Sequence, residues 1–351
     1  IPEHAYVNPE TDAAHCCGHH AQMAGIFGAA LALTVPEIAE KLGGQVVFFA
    51  TPAEEYGEIE FKNQLREQGK IRYGGGKCEL IRTGAFDDID LCLAHHIQPG
   101  DEIQVGSGTG NGFVSKVIRY LGKAAHAAGA PDKGVNALSA ASLGLQALGL
   151  NRETFRDEDC VRIHPIITKG GNLVNVIPDE IVIETLVRAK TIEAFTDAAK
   201  KTDRSFQAGA VAMGAKVEIT TLPGYLPTLA EQALPELKRA AELAAPEVPV
   251  REAAGHSGGS TDVGDVQHLM PVYTFNTGGV KGGLHQINFE VTNEEEAYID
   301  TAKMFALAAY GLLKEKAARS KELVKNYKPV FKDSAEYTKF MEQFDSEEVL
   351  D

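Results

Sequence analysis

Apolar residues along the chain recur at helical spacing in some stretches and form short continuous runs of strand length in others. His20–Thr34 (HAQMAGIFGAALALT) is rich in helix formers with apolar positions at helical spacing, which predicts a helix. Gln45–Thr51 (QVVFFAT) is a β-branched and aromatic run of buried-strand length, Asp90–His96 (DLCLAHH) is another, and both predict buried strands. Ile59–Gly69, between them, is charged and helix-like. Ile71–Gly84, which contains Gly74-Gly75-Gly76, reads as a loop.

The pattern changes at Gly106–Gly112 (GSGTGNG), a glycine-rich stretch that reads as a hinge or linker. The order that follows is strand Phe113–Gly122, helix Gly134–Leu150, strand Val161–Lys169, strand Glu180–Ala189, helix Ile192–Gly214 and strand Ala215–Leu222. This βαββαβ succession is the split-βαβ, ferredoxin-like pattern. After Pro223 the chain returns to helix. It then forms a strand, Pro271–Asn276, and a long helix whose opening, Thr292-Asn293-Glu294-Glu295, has the capping-box pattern. The charged tail after Lys314 reads as a solvated helix and extension. The expected architecture is α/β: a mixed-sheet catalytic domain with helices on both faces (residues 1–110 and 224–351) and an inserted ferredoxin-like lid (residues 111–223).

Composition narrows the class of function. The 351 residues are 44% hydrophobic and 24% charged, ordinary for a globular protein, and no apolar run reaches membrane-spanning length. A net charge of −15 makes phosphate backbones and anionic lipid poor partners, so neither nucleic acid nor membrane is expected. The cysteines, Cys16, Cys17, Cys78, Cys92 and Cys160, form no disulfide framework and suit a reducing, cytoplasmic compartment. The opening Ile1-Pro2-Glu3-His4 has neither a leader pattern nor an initiator Met, so residues upstream are expected.

Chemistry concentrates at four places. His15-Cys16-Cys17-Gly18-His19-His20 precedes the first helix, and a Cys and a His separated by Gly can turn toward one ion. Pro52-Ala53-Glu54-Glu55 follows the run Gln45–Thr51. His95-His96-Ile97-Gln98-Pro99 ends the run Asp90–Ala94, and Gly282-Gly283-Leu284-His285 follows Pro271–Asn276. A lone His pair is commonly structural, and Glu-Glu is commonly a solvated face. Three of the four, however, sit at the carboxyl ends of strands, where ligands of α/β sheets bind.

These motifs together resemble the metal-dependent amidohydrolases and exopeptidases of metallopeptidase family M20. The branch with hippurate, indole-acetyl-amino-acid and aminobenzoyl-glutamate hydrolases is the most similar. The shared pieces are His15-Cys16-Cys17-Gly18-His19, Pro52–Glu55, His96–Pro99 and Leu284-His285. A lid motif, Gly122–Pro131 with His126 at its centre, Asn175–Pro178, Arg188 and Ser260–Asp265 are similar too. His20 departs from the family's Asp or Asn, and the family's early strand and Asp-Ala-Leu segment are absent.

The resemblance implies that Cys17, His19, Glu55, His96 and His285 hold two divalent ions, zinc by donor type, with manganese, cobalt or nickel also accepted. Glu54 becomes the general base of a metal-assisted hydrolysis of N-acyl or aryl-acyl amino acids or dipeptides. Extended backbone would point the adjacent Glu54 and Glu55 opposite ways, and would leave His95 structural beside His96. His126 would stabilise the oxyanion, and Asn175 and Arg188 would grip a substrate carboxylate. The resemblance also implies a homodimer through the lid. Two rival readings are a serine hydrolase, from Gly255-His256-Ser257-Gly258-Gly259 with Asp262 or Asp265 and His285, and a non-catalytic relative that only binds metal or acyl-amino acid.

Overall fold

The computed structural model of the chain describes residues 3–350; Ile1 and Pro2 of the polar opening lie outside the described residues, as does Asp351. The chain builds a mixed α/β fold. Helix α1 (His19–Leu33) is followed by α2 (Ile59–Glu67) and α3 (Gly76–Arg82), then by strands β1 (Cys92–Ile97) and β2 (Ile103–Val105). Next come β3 (Gly112–Leu121), α4 (Ala137–Asn151), β4 (Ile166–Lys169), β5 (Glu180–Ala189), α5 (Ile192–Met213) and β6 (Lys216–Tyr225). Helix α6 (Pro235–Ala244), β7 (Val250–Glu252), β8 (Val272–Thr277), α7 (Thr301–Asn326), α8 (Ser334–Met341) and β9 (Ser346–Leu350) complete the order.

Two sheets carry the molecule. The first has the order β1-β8-β2-β7 and is mixed: β1 runs parallel to β8, β8 antiparallel to β2, and β2 parallel to β7. Its faces are covered on both sides. Tyr273 and Phe275 of β8 pack into a cluster with α1, α6 and α7, whereas Val272 joins the cluster that contains Cys78 and Ile81 of α3. The second sheet is antiparallel with the order β9-β6-β3-β5, and β5 carries Arg162–Ile163 and β4 on its far side. Ile118, Tyr120, Ile181, Ile183, Val217 and Ile219 form its core with Ala140 of α4 and Phe206 of α5. Each large apolar side chain so buried contributes roughly 1.5–3 kcal/mol.

Several expectations shift. Gln45–Thr51 forms no ladder among the described residues: Phe49 packs on Phe86, with ring centroids 4.6 Å apart, while Val47 and Phe48 stay exposed. An apolar run reports a tendency to bury, and pairing needs a neighbouring strand as well. The supposed loop Ile71–Gly84 contains α3. Gly106–Gly112 is no loose linker. Thr109–Gly110 pairs with His256–Ser257, and the fully buried Asn111 donates its N–H to Ser257 and Gly259 carbonyls at 3.2 and 2.9 Å. At the opening of the late helix the side-chain bonds come from Asn293 and not from Thr292: its Oδ1 accepts from the N–H groups of Glu295 and Glu296.

The tail is the largest correction. Charged residues hide a buried row, Phe331, Tyr337, Met341 and Phe344. After a break at Lys314–Ala317 the chain folds back, α8 seats Tyr337 Oη on Asp265 Oδ1 at 2.8 Å, and β9 pairs with β6. Met341 is 1% exposed. Met341→Ala should therefore lower the unfolding free energy by about 2–5 kcal/mol. Val349→Ala, at a side chain 54% exposed on β9, should change it by less than about 0.5 kcal/mol. Urea denaturation of both variants checks this, and a silent Met341→Ala would mean that the tail is not core.

Candidate metal centre and active site

The site starts from one turn. Gly18 has φ +83°, the left-handed region, and a Cβ there would stand 2.0 Å from Ile97 Cγ2. Only glycine fits both demands. The turn opens α1 and seats its first residues against the end of β1, so Cys17 and His19 meet His96. Cys17 Sγ lies 3.4 Å from His96 Nε2. His96 Nδ1 donates to the Ile97 carbonyl at 2.6 Å, which leaves the lone pair of Nε2 facing the cluster. His95, its neighbour on the strand, points away: its Nε2 meets Thr277 Oγ1 at 2.8 Å among Phe275 and Phe305.

Glu54 and Glu55 enter from the loop after Gln45–Thr51. They do not diverge as extended backbone would have them. Ala53 turns left-handed at φ 52°, and both carboxylates come within reach of His19 Nε2, at 3.6 Å for Glu54 Oε2 and 3.7 Å for Glu55 Oε1. Glu55 Oε1 also lies 3.4 Å from His285 Nε2. His285 is delivered by a loop whose N–H at His285 bonds the Cys16 carbonyl at 2.7 Å. Ligand atoms of Cys17, His19 and His96, of Cys17, Glu55 and His285, and of His19, Glu54 and Glu55 thus form three overlapping groups, each within 4.8 Å.

The electrostatics of this cluster ask for a cation. Burial, then Glu55 and Glu54, push the Cys17 thiol up to about 12. Burial lowers the His19 pKa against the pull of Glu54, and its buried Nε2 has no hydrogen-bond partner among the described residues. A thiol, imidazoles and carboxylates with an unpartnered ring nitrogen fit a divalent transition ion. His20, where an acid or amide was expected, stands between His15 and Tyr298, at ring distances of 5.3 and 5.8 Å.

The residues from the second sheet divide into two sets. Arg188, at the end of β5, lies over the Phe113 ring at 5.6 Å and has Ser260 Oγ at 3.5 Å from Nη1. Burial lowers its pKa, opposed by Tyr225 and Glu55, and no carboxylate among the described residues pairs with it. His126 and Asn175 come together instead on their own bridge, with Ala127 N–H donating to the Asn175 carbonyl at 2.9 Å, and both are exposed. His126 Nδ1 accepts from the N–H groups of Ala128 and Gly129 at 3.2 and 3.0 Å, which leaves Nε2–H as a donor.

Some neighbours of the cluster had no role in the sequence reading. Thr261 Oγ1 donates to Glu54 Oε1 at 2.7 Å, and Asp262 is buried against Lys77. Tyr225 Oη donates to the Glu54 carbonyl. Thr261 and Asp262 lie in the noted segment Ser260–Asp265, but a contact across 207 positions leaves no local signal. The serine-hydrolase reading finds no triad. Ser257 Oγ accepts from Gly259 N–H, Asp262 and Asp265 are engaged by Lys77 and Tyr337, and His285 belongs to the Glu55 cluster.

Such donors gathered at the carboxyl end of an α/β sheet define the class: a metal-dependent hydrolase. The profile of Peptidase family M20/M25/M40 matches residues 3–310, and the chain belongs to that family. The Xaa-Arg dipeptidase of Mus musculus is 27% identical over 325 residues, 90% of this chain and 67% of that protein. The indole-3-acetyl-aspartic acid hydrolase of Enterobacter agglomerans is 26% identical over 231 residues, 62% of this chain and 48% of that protein. In fold, the chain is similar to the YXEP protein of Bacillus subtilis, a dinuclear metal binding peptidase, with a TM-score of 0.56 at 23% identity over 85% of this chain and 73% of that one. The protein is a hydrolase of amide bonds. No helix among the described residues is long and apolar enough to cross a membrane.

Gly18→Ala should destabilise the fold by about 1–3 kcal/mol for the left-handed backbone alone. It should also couple to Ile97. In a thermal double-mutant cycle, Ile97→Ala should cost less in the Gly18→Ala background than in the wild type, because it removes the methyl that the new Cβ meets. Additive effects would place the constraint elsewhere.

Proposed function

We propose that the chain is a two-metal amidohydrolase that releases an amino acid from an N-acyl or aryl-acyl amino acid or from a dipeptide. One observation carries the reading: six donor side chains converge beside the half-buried guanidinium of Arg188, which pairs with no carboxylate among the described residues. Cys17, His19, Glu55, His96 and His285 hold two divalent ions, zinc by the mixture of sulfur, nitrogen and oxygen, with manganese, cobalt or nickel also accepted. Bound ions of this kind acidify water and polarise a scissile carbonyl. Glu54 takes the proton of the attacking water and returns it to the leaving amine. The likeness to Xaa-Arg dipeptidase over 90% of the chain favours a dipeptide among these substrates.

Arg188 binds the free carboxylate of the substrate through paired N–H donors, and Asn175 adds an amide donor. Nε2–H of His126 meets the carbonyl oxygen as it gains charge. Residues 111–223, with the tail strand β9 added at the edge of their sheet, act as a ferredoxin-like lid on the catalytic unit built from residues 1–110 and the chain from 224 up to β9. His126 and Asn175 reach the substrate when that lid closes or when a second copy docks in a homodimer. A screen of N-acyl amino acids and dipeptides with metal-loaded protein, read by amine release, tests the reading; no turnover of any of them would defeat it.

Two substitutions separate base from ligand. Glu54→Gln should keep bound metal near the wild-type level while kcat falls by roughly two or more orders of magnitude. Glu55→Gln should lose metal as well, since Glu55 reaches Cys17, His19 and His285. Elemental analysis beside kinetics decides, and equal metal loss would reverse the assignment.

Substrate polarity gives a second test. Arg188→Ala should raise KM strongly for an N-acyl amino acid, and Arg188→Lys should recover only part, because lysine keeps the charge but lacks the planar fork. The wild type should prefer the free acid over its amide. Equal rates on a matched acid and amide pair would remove Arg188 from carboxylate binding.

A further inference from the structure

The loop that bears Glu54 and the loop that bears Thr261 hang from the same point, the first turn of α3. Gly76 N–H donates to the Ala53 carbonyl at 3.0 Å, and a Cβ on Gly76 would stand 1.7 Å from the Pro52 carbonyl oxygen. The next residue, Lys77, holds the other loop twice: its N–H bonds Asp262 Oδ2 at 2.9 Å and its Nζ bonds Asp262 Oδ1 at 2.6 Å. Asp262 is fully buried while the Lys77 side chain keeps 18% of its surface exposed, so the pair is largely screened from water, and both partners are hydrogen-bonded. Two successive residues of one helix thus fix the distance between two loops that are far apart in sequence.

What that frame delivers is a single contact. Thr261 Oγ1 donates to Glu54 Oε1 at 2.7 Å, while Glu54 Oε2 faces His19 Nε2 at 3.6 Å. A carboxylate has two oxygens and can rotate to exchange them. A hydroxyl committed to one of them stops the rotation and leaves the other turned toward the donor cluster. We propose that Thr261, anchored through Asp262 and Lys77, is a positioning residue that selects Oε2 of Glu54 as the oxygen that accepts and returns the proton. The proposal rests on Glu54 being the general base. It requires no contact between Thr261 and substrate, so it predicts an effect on turnover and none on binding.

The test is a kinetic cycle on the full chain loaded with zinc. Thr261→Val, close in shape but without the hydroxyl, should lower kcat by about 10- to 100-fold, the range for a lost hydrogen bond to a charged group, with KM and bound metal unchanged. Thr261→Ser, which restores the hydroxyl, should return kcat to within a few-fold of wild type. In a Glu54→Gln background, Thr261→Val should have almost no further effect, because its action runs through the carboxylate. Circular dichroism and melting temperature establish that each variant is folded; if Thr261→Val fails to fold, the comparison moves to Thr261→Ala and Thr261→Ser. Wild-type kcat in the Val or Ala variant, an unrescued Ser variant, loss of metal, or an undiminished effect in the Glu54→Gln background would each overturn the proposal. A Glu54→Gln variant with full activity would instead defeat the base assignment itself.

Discussion

The approach of Gly18 to Ile97 is the contact from which the geometry of the site follows. A backbone turn without a side chain lies against the end of β1, and it faces Cys17 and His19 toward the strand that presents His96. Once the first helix is seated there, the carbonyl of Cys16 is free to receive the N–H of His285, so the fourth motif is attached to the first by one backbone hydrogen bond. Three of the four chemical motifs are then fixed by a turn, a strand end and a loop contact. Only the Glu54-Glu55 loop needs separate support, and it has its own frame in α3.

That frame also joins the site to the second sheet. Tyr225, at the end of β6, donates its hydroxyl to the Glu54 carbonyl, and Tyr56 donates to the Pro223 carbonyl at 2.9 Å. The two tyrosines meet edge to face, with ring centroids 5.6 Å apart, and each contacts Phe113 at the start of β3. Aromatic burial with satisfied hydroxyls makes this a stiff joint. The start of β3 and the end of β6 are therefore tied directly to the loop that carries the acidic pair. The tail adds a second tie, since α8 rests on Asp265 while β9 extends the sheet beyond β6.

Much of this was legible in the sequence, for reasons that can be named. Periodicity located α1, α5, β3 and β5 because each buries one face or runs through a core. The chemical motifs were legible because a donor such as Cys17 or His96 is fixed by its neighbours in sequence, through a glycine turn or a strand alternation. Where the backbone left those simple states the reading slipped: the left-handed Ala53 undid the expected divergence of Glu54 and Glu55. Gln45–Thr51 has the composition of a strand but no pairing partner among the described residues. The tail was misread because lysines and glutamates fill the positions between Phe331, Tyr337, Met341 and Phe344, so the apolar row is diluted below the level at which periodicity shows.

The contacts that no pattern could reveal are those that bring together loops from opposite ends of the chain, and they share a physical character. Lys77 with Asp262, Thr261 with Glu54 and Tyr337 with Asp265 are polar contacts with at least one partner largely withdrawn from water. Burial raises the pKa of Asp262, and the Lys77 charge opposes that rise. A charge in such a place is costly unless its partner is held in position, so the pair constrains the backbone on both sides more than an apolar contact of equal area would. Hydrophobic patterning accounts for the layers of this protein. The placement of its reactive groups depends on a few buried and part-buried polar contacts whose partners are distant in sequence and met only through the fold.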